Sequence, residues 1–202
     1  RAGRLSRRRR HSPAVEHQIP RAERPPGSLT ARMAGLDMPE ARLFPSKDGA
    51  GYFGIKRFDR HDGLKIHTHT ACGLLHASHR FPSLDYENLI RLTASLTQDK
   101  RDVERMVRLM IFNAKAGNQG DHSRNFSFCL EAEHRWHLSP ACDLTPCTGI
   151  SGEHCSTVNG KGKDISDAGP IEAVSVGGVG ARKVKEMIEQ VGGALGEMDK
   201  LT

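Results

Sequence analysis

Two polar segments of the chain contain the residue types that phosphoryl transfer requires. The first, residues 117–128, contains Asp121 and, four residues later, Asn125, and the second, residues 139–146, contains Asp143. Phosphoryl transfer needs a carboxylate that orients the attacking hydroxyl, and an amide and a second carboxylate that hold Mg²⁺ on the phosphates. Each segment alone is also explained as a polar turn with ordinary capping residues. Both together, in this order along the chain, favour a kinase-like site.

Helices and a hairpin are predicted on either side of these two segments. Asp85 and Asp99 are suitable N-caps, and after Asp99 apolar residues recur at helical spacing. Residues 126–130 alternate between the two faces of a strand, and residues 136–138 return as the second strand of a hairpin. The first polar segment therefore lies between a helix and a strand, and the second follows the hairpin.

Weaker patterns organise the rest of the chain. They predict a helix over 28–35, a hairpin from 41–44 and 52–58 around an Asp-Gly turn, a segment over 149–169 that is mostly loop, and a last helix over about 181–191. The glycines of residues 176–183 resemble a phosphate loop only loosely, because Lys and Ser or Thr do not follow them. We interpret them as the entry to the last helix.

The positive charge of the chain is confined to its first 30 residues. Residues 1–30 contain eight Arg and two Glu, whereas residues 31–202 contain 22 basic and 22 acidic residues. The first 30 residues are also rich in Pro and poor in periodic apolar residues, so we predict a disordered Arg/Pro-rich leader. Its run of Arg could bind phosphate backbones, which makes a nucleic-acid-binding protein one alternative function. The neutral body argues against that alternative.

The cysteines and the apolar residues indicate where the protein acts. No apolar run approaches the ~18 residues that span a bilayer, so no membrane partner is expected. The five Cys are odd in number and lack CxxC spacing, which favours reduced thiols and a cytoplasmic protein. His67 and His69 with Cys72 could ligate zinc, but no second close pair of ligands stands out.

Four motifs together resemble the HipA family of serine/threonine kinase toxins from toxin–antitoxin systems. They are Tyr52–Arg60, Ile66–Ala71, Asp121–Ser127 and Leu138–Thr145, in the family's order and spacing within roughly residues 31–195. The resemblance implies an α+β, mainly α fold: the C-terminal lobe of a protein-kinase-like (phosphatidylinositol 3/4-kinase-like) fold with small β-hairpins. We expect residues 31–62 to be a remnant of the smaller lobe and residues 63–202 the helical kinase C-lobe.

The resemblance also implies an activity, cofactors and partners. Family members use ATP and Mg²⁺ to phosphorylate a serine on a protein, often an aminoacyl-tRNA synthetase. Many pair with a DNA-binding antitoxin, so DNA would be contacted only indirectly. By position, Asn125 and Asp143 would be the magnesium ligands, and His122 and Arg124 would face the phosphates. The residues near the adenine-binding hinge would be His67, Thr68, His69, Thr70 and Ala71.

Two departures from the family pattern bear on activity. The family's catalytic aspartate lies two residues before the loop histidine, where this chain has Gly120. Asp121 is adjacent, but neighbouring side chains of an extended loop point in different directions, so it is a doubtful substitute. The family's phosphate loop and phosphate-contacting lysine have no counterpart in residues 1–30. We therefore expect a truncated C-terminal kinase lobe that is inactive as it stands, or a non-catalytic pseudokinase module that binds an antitoxin or target protein.

Overall fold

The computed structural model describes residues 16–18, 27–47, 49, 51–78 and 84–201. Its helical content is 44% and its strand content is 19%. The mainly helical α+β fold expected from the sequence is thereby confirmed. The α-helices of the described part are α1 Gly27–Met33, α2 Ala71–Leu74, α3 Tyr86–Thr97, α4 Lys100–Ala116, α5 Ala168–Ala173 and α6 Ala181–Leu201.

The strands of the described residues are short and form four small sheets. They are β1 Glu16–Gln18, β2 Ala41–Phe44, β3 Tyr52–Ile55, β4 Arg60–His61, β5 Leu64–Lys65, β6 His67–Thr70, β7 Leu84–Asp85, β8 Ser127–Leu130, β9 Trp136–Leu138 and β10 Ser156–Thr157. The sheets have the orders β1-β3-β2, β4-β5, β6-β8-β9 and β10-β7. The predicted β2–β3 and β8–β9 hairpins are both present and antiparallel.

Helix α4 lies at the centre of the fold and packs against α3 and α6. Its predicted apolar face is buried, with Met106, Val107, Met110 and Ile111 fully excluded from solvent. Both predicted caps are confirmed. Asp85 accepts a hydrogen bond from the backbone N–H of Glu87 at 3.1 Å, and Asp99 accepts one from Arg101 at 2.8 Å.

The last helix is longer than predicted. Sequence patterning ended it at Val191, before Gly192 and Gly193, because glycine disfavours a helix interior by about 1 kcal/mol. The structure continues α6 to Leu201, and Ala194 in this extension is buried. Packing of that face against the core therefore outweighs the poor helix propensity of the two glycines.

The glycines of residues 176–183 lie at the entry to α6, as interpreted from the sequence, and Gly177 also packs against the core. Gly177 ends a 3₁₀ turn over Val174–Gly177, and α6 begins at Ala181. A β-carbon at Gly177 would lie only 3.0 Å from a side-chain carbon of Val103 and closer still to Ile90. Only glycine allows this turn to approach α3 and α4 so closely.

The structure also bears on the predicted leader and on the expected boundary between residues 62 and 63. Within the predicted disordered leader, β1 pairs with β3 and α1 begins at Gly27, so these parts of residues 1–30 are ordered. Strand β1 lies in a stretch, residues 14–19, that lacks both Arg and Pro, and the edge of β3 supplies its backbone partners. The other leader residues lie outside the described part. The expected boundary between residues 62 and 63 falls in the turn of the β4–β5 hairpin.

Residues 149–169, predicted to be mostly loop, are mostly loop in the structure. They also contain β10, which pairs in parallel with β7, and the last of them begin α5. The pairing joins positions 72 residues apart, so local turn composition could not reveal it. Among the described residues, none of the helices is long and apolar enough to cross a membrane.

Candidate active site

The first polar segment begins where α4 ends, and a buried amide holds it in place. Gly117 closes α4 in the left-handed conformation, with φ +65°, which favours glycine. The next residue, Asn118, is buried and donates from Nδ2 to Asn113 Oδ1 and to the carbonyl oxygen of Asp143, both at 3.1 Å. One side chain therefore ties together the end of α4, the first polar segment and the second polar segment.

The structure brings Asn125 and Asp143 into contact. Asn125 Nδ2 donates to Asp143 Oδ2 at 3.1 Å and to the carbonyl oxygen of Gly120 at 3.1 Å. Asp143 is exposed and has φ +55°, in the left-handed region that Asp and Asn tolerate better than other residues with a side chain. The single side-chain oxygen of Asn125, Oδ1, and the second carboxylate oxygen of Asp143, Oδ1, accept no hydrogen bond from the described residues. An amide and a carboxylate, each with an oxygen that could bind a hard cation, are thus in contact near the surface.

An ion pair on α4 positions the strand that leads to Asp143. Arg105 donates to the carbonyl oxygens of Leu138 at 2.8 Å and Ser139 at 3.3 Å, and to Asp102 Oδ1 at 2.6 Å. Buried Asp102 in turn accepts the backbone N–H of Leu138 at 3.0 Å. These bonds fix the end of β9 on the central helix, five residues before Asp143.

Asp121 faces the interior, away from the surface on which Asn125 and Asp143 meet. It is 1% exposed. Its Oδ2 accepts from the hydroxyl of Tyr86 at 2.9 Å and contacts His154 Nδ1 at 3.1 Å. Its Oδ1 accepts from the backbone N–H groups of Cys155 at 2.9 Å and Ser156 at 3.2 Å. Both carboxylate oxygens are therefore occupied within the protein, and this side chain holds β10 against the loop.

The same buried network extends from Asp121 back to α4. Asn113 Nδ2 donates to the hydroxyl oxygen of Tyr86 at 2.9 Å. Burial, followed by the nearby Asp121 carboxylate, raises the pKa of Tyr86 well above its usual value near 10. The phenol therefore remains a hydrogen-bond donor to Asp121 across the physiological range. The continuous chain of bonds runs from Asn118 through Asn113 and Tyr86 to Asp121.

Position 120 contributes backbone groups only. The N–H of Gly120 donates to Cys147 Sγ at 3.1 Å, and its carbonyl oxygen accepts from Asn125 Nδ2. The residue that corresponds to the expected catalytic aspartate thus lies directly beside the Asn125–Asp143 pair. It offers no group that could accept a proton.

The two residues expected to face phosphates lie in the same loop. The backbone N–H of His122 donates to the carbonyl oxygen of Gly120 at 2.8 Å, which folds the loop into a turn. Its ring Nδ1 is buried and has no hydrogen-bond partner among the described residues. Arg124 is exposed and forms no ion pair within the described part of the chain. A ring nitrogen and a guanidinium are therefore both available at this loop.

The hinge-like segment adjoins the loop through the central small sheet. Residues 67–70 form β6, which pairs with β8 so that Thr70 lies opposite Ser127. Immediately after β6, the N–H of Ala71 donates to the carbonyl oxygen of Phe126 at 2.8 Å. This pairing brings His67, Thr68, His69, Thr70 and Ala71 to the strand that directly follows Asn125. No three His, Cys, Asp or Glu residues of the described part form a cluster suited to a metal, so the zinc alternative lacks a third ligand.

Sequence reasoning missed the buried residues that support the site. Tyr86 and His154 contact Asp121 from positions 35 and 33 residues away along the chain, and Asn113 supports the Tyr86 hydroxyl. Asn113 could have been noticed in the sequence, because it is a polar residue within the otherwise apolar face of α4. Nothing local marked Tyr86 or His154, because their role depends on how α3 and β10 pack.

Comparisons with known proteins agree with this architecture. The family model of the HipA-like C-terminal domain matches residues 27–197. No curated protein matches the chain. Among solved structures, the chain is similar to HipA of Shewanella oneidensis MR-1, determined in a complex with HipB and its operator DNA. The TM-score is 0.69 at 14% sequence identity, over 87% of this chain and 48% of that one. The chain thus spans about half the length of that HipA.

Proposed function

The chain belongs to the HipA-like C-terminal domain family, and we propose that it is the magnesium- and nucleotide-binding lobe of a HipA-type serine/threonine protein kinase toxin. The observation that carries the proposal is the contact between Asn125 and Asp143 at 3.1 Å on a loop buttressed by the core. The family resemblance implied that both residues are magnesium ligands, and they are 18 positions apart in the sequence.

The donors at this site fit Mg²⁺ bound together with a nucleotide. Mg²⁺ is usually held by one or two carboxylates together with substrate phosphates and water. Asn125 and Asp143 would supply one amide and one carboxylate oxygen, and ATP would supply the rest. When bound, the ion would neutralise charge on the phosphates. Asn125 is kept beside Asp143 by its second bond, to the carbonyl oxygen of Gly120.

The neighbouring groups suit the anionic part of ATP. Arg124 is an exposed cation, and His122 has a buried ring nitrogen that no described residue satisfies. Both follow Gly120 in the loop that carries Asn125, so phosphates bound near Asn125 would lie within their reach. The β6 segment, which pairs with β8, would border the adenine.

The missing general base favours the pseudokinase form of this proposal. Gly120 has no side chain, and the carboxylate of Asp121 is buried and accepts or contacts four groups of the protein. A general base must reach the proton that it removes, and Asp121 cannot do so without breaking this network. We therefore propose that the chain binds Mg·ATP and transfers no phosphoryl group to a protein serine by itself.

The partner we propose is a DNA-binding antitoxin. The solved HipA to which the chain is similar was determined with HipB and operator DNA. Because residues 31–202 have no net charge, contact with DNA would pass through such a partner. A protein substrate, such as an aminoacyl-tRNA synthetase, would be phosphorylated only by a form that includes a catalytic base.

Calorimetric titration of the full chain with Mg·ATP tests the proposal. Asp143→Asn is the preferred variant, because Asn tolerates the left-handed backbone at position 143 while the carboxylate charge is lost. We expect it to weaken Mg·ATP binding by at least about tenfold, since a charge-assisted contact contributes roughly 1.5–3 kcal/mol. The matched control is Glu189→Gln, which removes one exposed carboxylate on α6. Equal binding by wild type and Asp143→Asn would contradict the proposal.

A further inference from the structure

The thiol of Cys147 stands where a side chain at position 120 would begin. A β-carbon placed on Gly120 would lie 2.8 Å from Cys147 Sγ and 3.7 Å from Asn118 Oδ1. Separations below 3.0 Å essentially do not occur for real β-carbons. Backbone conformation is no obstacle, because Gly120 is not among the glycines with positive φ. The obstacle at this position is therefore one atom of one side chain.

Backbone hydrogen bonds hold Cys147 in this position from both sides. Its N–H donates to the carbonyl oxygen of Gly117, and its own carbonyl oxygen accepts from the N–H of Gln119, each at 3.2 Å. Together they form a parallel bridge between Asn118 and Cys147. The segment around Cys147 is thereby aligned with the loop, and the thiol has little freedom to withdraw by movement of the main chain.

The side chain of Cys147 is also held directly. Its Sγ accepts from the N–H of Gly120 at 3.1 Å and lies 3.6 Å from Asn118 Oδ1. Cysteine has a single side-chain torsion, so the sulfur can leave only by rotating to another staggered position. Rotation would give up both contacts together. The Cys147 thiol is thus held in the space that a side chain at position 120 would need.

We propose that Cys147 sterically excludes any side chain at position 120, and in particular the carboxylate of an aspartate. A carboxylate at position 120 then requires a smaller residue at position 147, and the two positions are coupled. Crowding at position 120 would also displace its carbonyl oxygen, which holds Asn125 beside Asp143. The coupling follows from geometry alone. Only its consequence for Mg·ATP binding rests on the proposed function.

Thermal unfolding of a double-mutant cycle in the full chain tests this coupling. Gly120→Ala alone is expected to lower the melting temperature by about 3–6 °C, the range expected for an overpacked site in a chain of this size. Cys147→Ala alone should change it by less than about 2 °C, because Cys147 is exposed. In the Cys147→Ala background, Gly120→Ala should leave the melting temperature unchanged or raise it, since alanine lowers the conformational entropy of the unfolded chain. The proposal is overturned if Gly120→Ala lowers the melting temperature equally in the wild-type and Cys147→Ala chains, or lowers it in neither.

Two further variants keep the outcome interpretable. Gly192→Ala is the matched control, because Gly192 is exposed within α6, a β-carbon there meets nothing within 4 Å and its φ is not positive; it should not be destabilising, since alanine has the better helix propensity. Cys147→Ser retains the hydrogen-bonding capacity with a shorter side-chain bond, so the cost of Gly120→Ala in that background should be intermediate. A cost as large as that with Cys147 would show that crowding by the sulfur is not the cause.

The functional consequence has a separate readout. Gly120→Asp should weaken Mg·ATP binding in the calorimetric titration, whereas Gly120→Asp with Cys147→Ala should retain wild-type binding. If wild type binds no Mg·ATP, the proposed function fails, yet the thermal cycle still decides the coupling. If wild type binds Mg·ATP and the single and double variants bind alike, the claimed link between position 147 and the site is wrong.

Discussion

Asp121 and Asp143 carry the same carboxylate but differ in their surroundings. The Asp121 side chain is buried and both of its oxygens contact protein groups, whereas Asp143 is exposed. Replacing Asp121 by Asn would turn one acceptor into a donor facing other donors and would remove a paired buried charge. We therefore predict that Asp121→Asn costs about 3 kcal/mol of unfolding free energy, measured by chemical denaturation.

The same substitution at Asp143 is the matched control for that experiment. Asp143→Asn keeps the side-chain shape and the tolerated backbone conformation, so its unfolding free energy should change by less than about 0.5 kcal/mol. A stable Asp121→Asn protein would mean that the buried network does not depend on this carboxylate. Asp121 would then again be a candidate for the catalytic base.

At the scale of the element, the N-cap of α4 makes a pH-dependent contribution to stability. Asp99 accepts from the N–H and the guanidinium of Arg101. The side-chain bond to Arg101, followed by the backbone bond, lowers the pKa of Asp99 to about 2. Asp99→Ala should cost about 1 kcal/mol at pH 7, a typical value for a lost cap.

The sign of the pH dependence follows from the lowered pKa. A depressed pKa in the folded state stabilises the protein above the unfolded value, 3.8, and this contribution is lost as the pH falls toward about 2. The difference in unfolding free energy between wild type and Asp99→Ala should therefore shrink between pH 4 and pH 2. Denaturation curves at several pH values in this range measure it. A difference that stays constant would contradict the assignment of Asp99 as a charged cap.

The elements that sequence patterning predicted are those fixed by local chemistry. The caps at Asp85 and Asp99, the apolar stripes of α4 and α6 and both hairpins follow from residues within one turn or one hairpin. The parallel pairing of β7 with β10 and the attachment of β1 to β3 join distant segments, so no local pattern marks them. Asn125 and Asp143 are also far apart in the sequence, and their contact was expected only because of the family resemblance. No sequence pattern indicated that Cys147 lies against position 120, and only the folded structure shows it.

At the scale of the whole molecule, charge separates the leader from the body. Residues 1–15 contain six Arg and precede β1, while residues 31–202 are neutral. We predict that the full chain binds duplex DNA only at low salt. Binding that neutralises about six phosphates should fall by about 10³ between 50 and 200 mM salt.

Fluorescence anisotropy with a labelled duplex measures this binding. A variant that begins at residue 16 should lose the low-salt binding while retaining β1, α1 and the melting temperature of the full chain. Tight binding at 200 mM salt that survives this deletion would instead favour direct DNA recognition by the body.

The central claim is that a divalent cation binds with the nucleotide between Asn125 and Asp143. Substituting Mn²⁺ for Mg²⁺ tests it most directly, because the paramagnetic ion broadens the NMR resonances of nearby amides. With Mn·ATP we expect broadening of the amides of residues 120–126 and 141–144 and none at the C-terminal end of α6, and we expect Asp143→Asn to abolish it. Broadening centred elsewhere, or unchanged broadening in Asp143→Asn, would contradict the account.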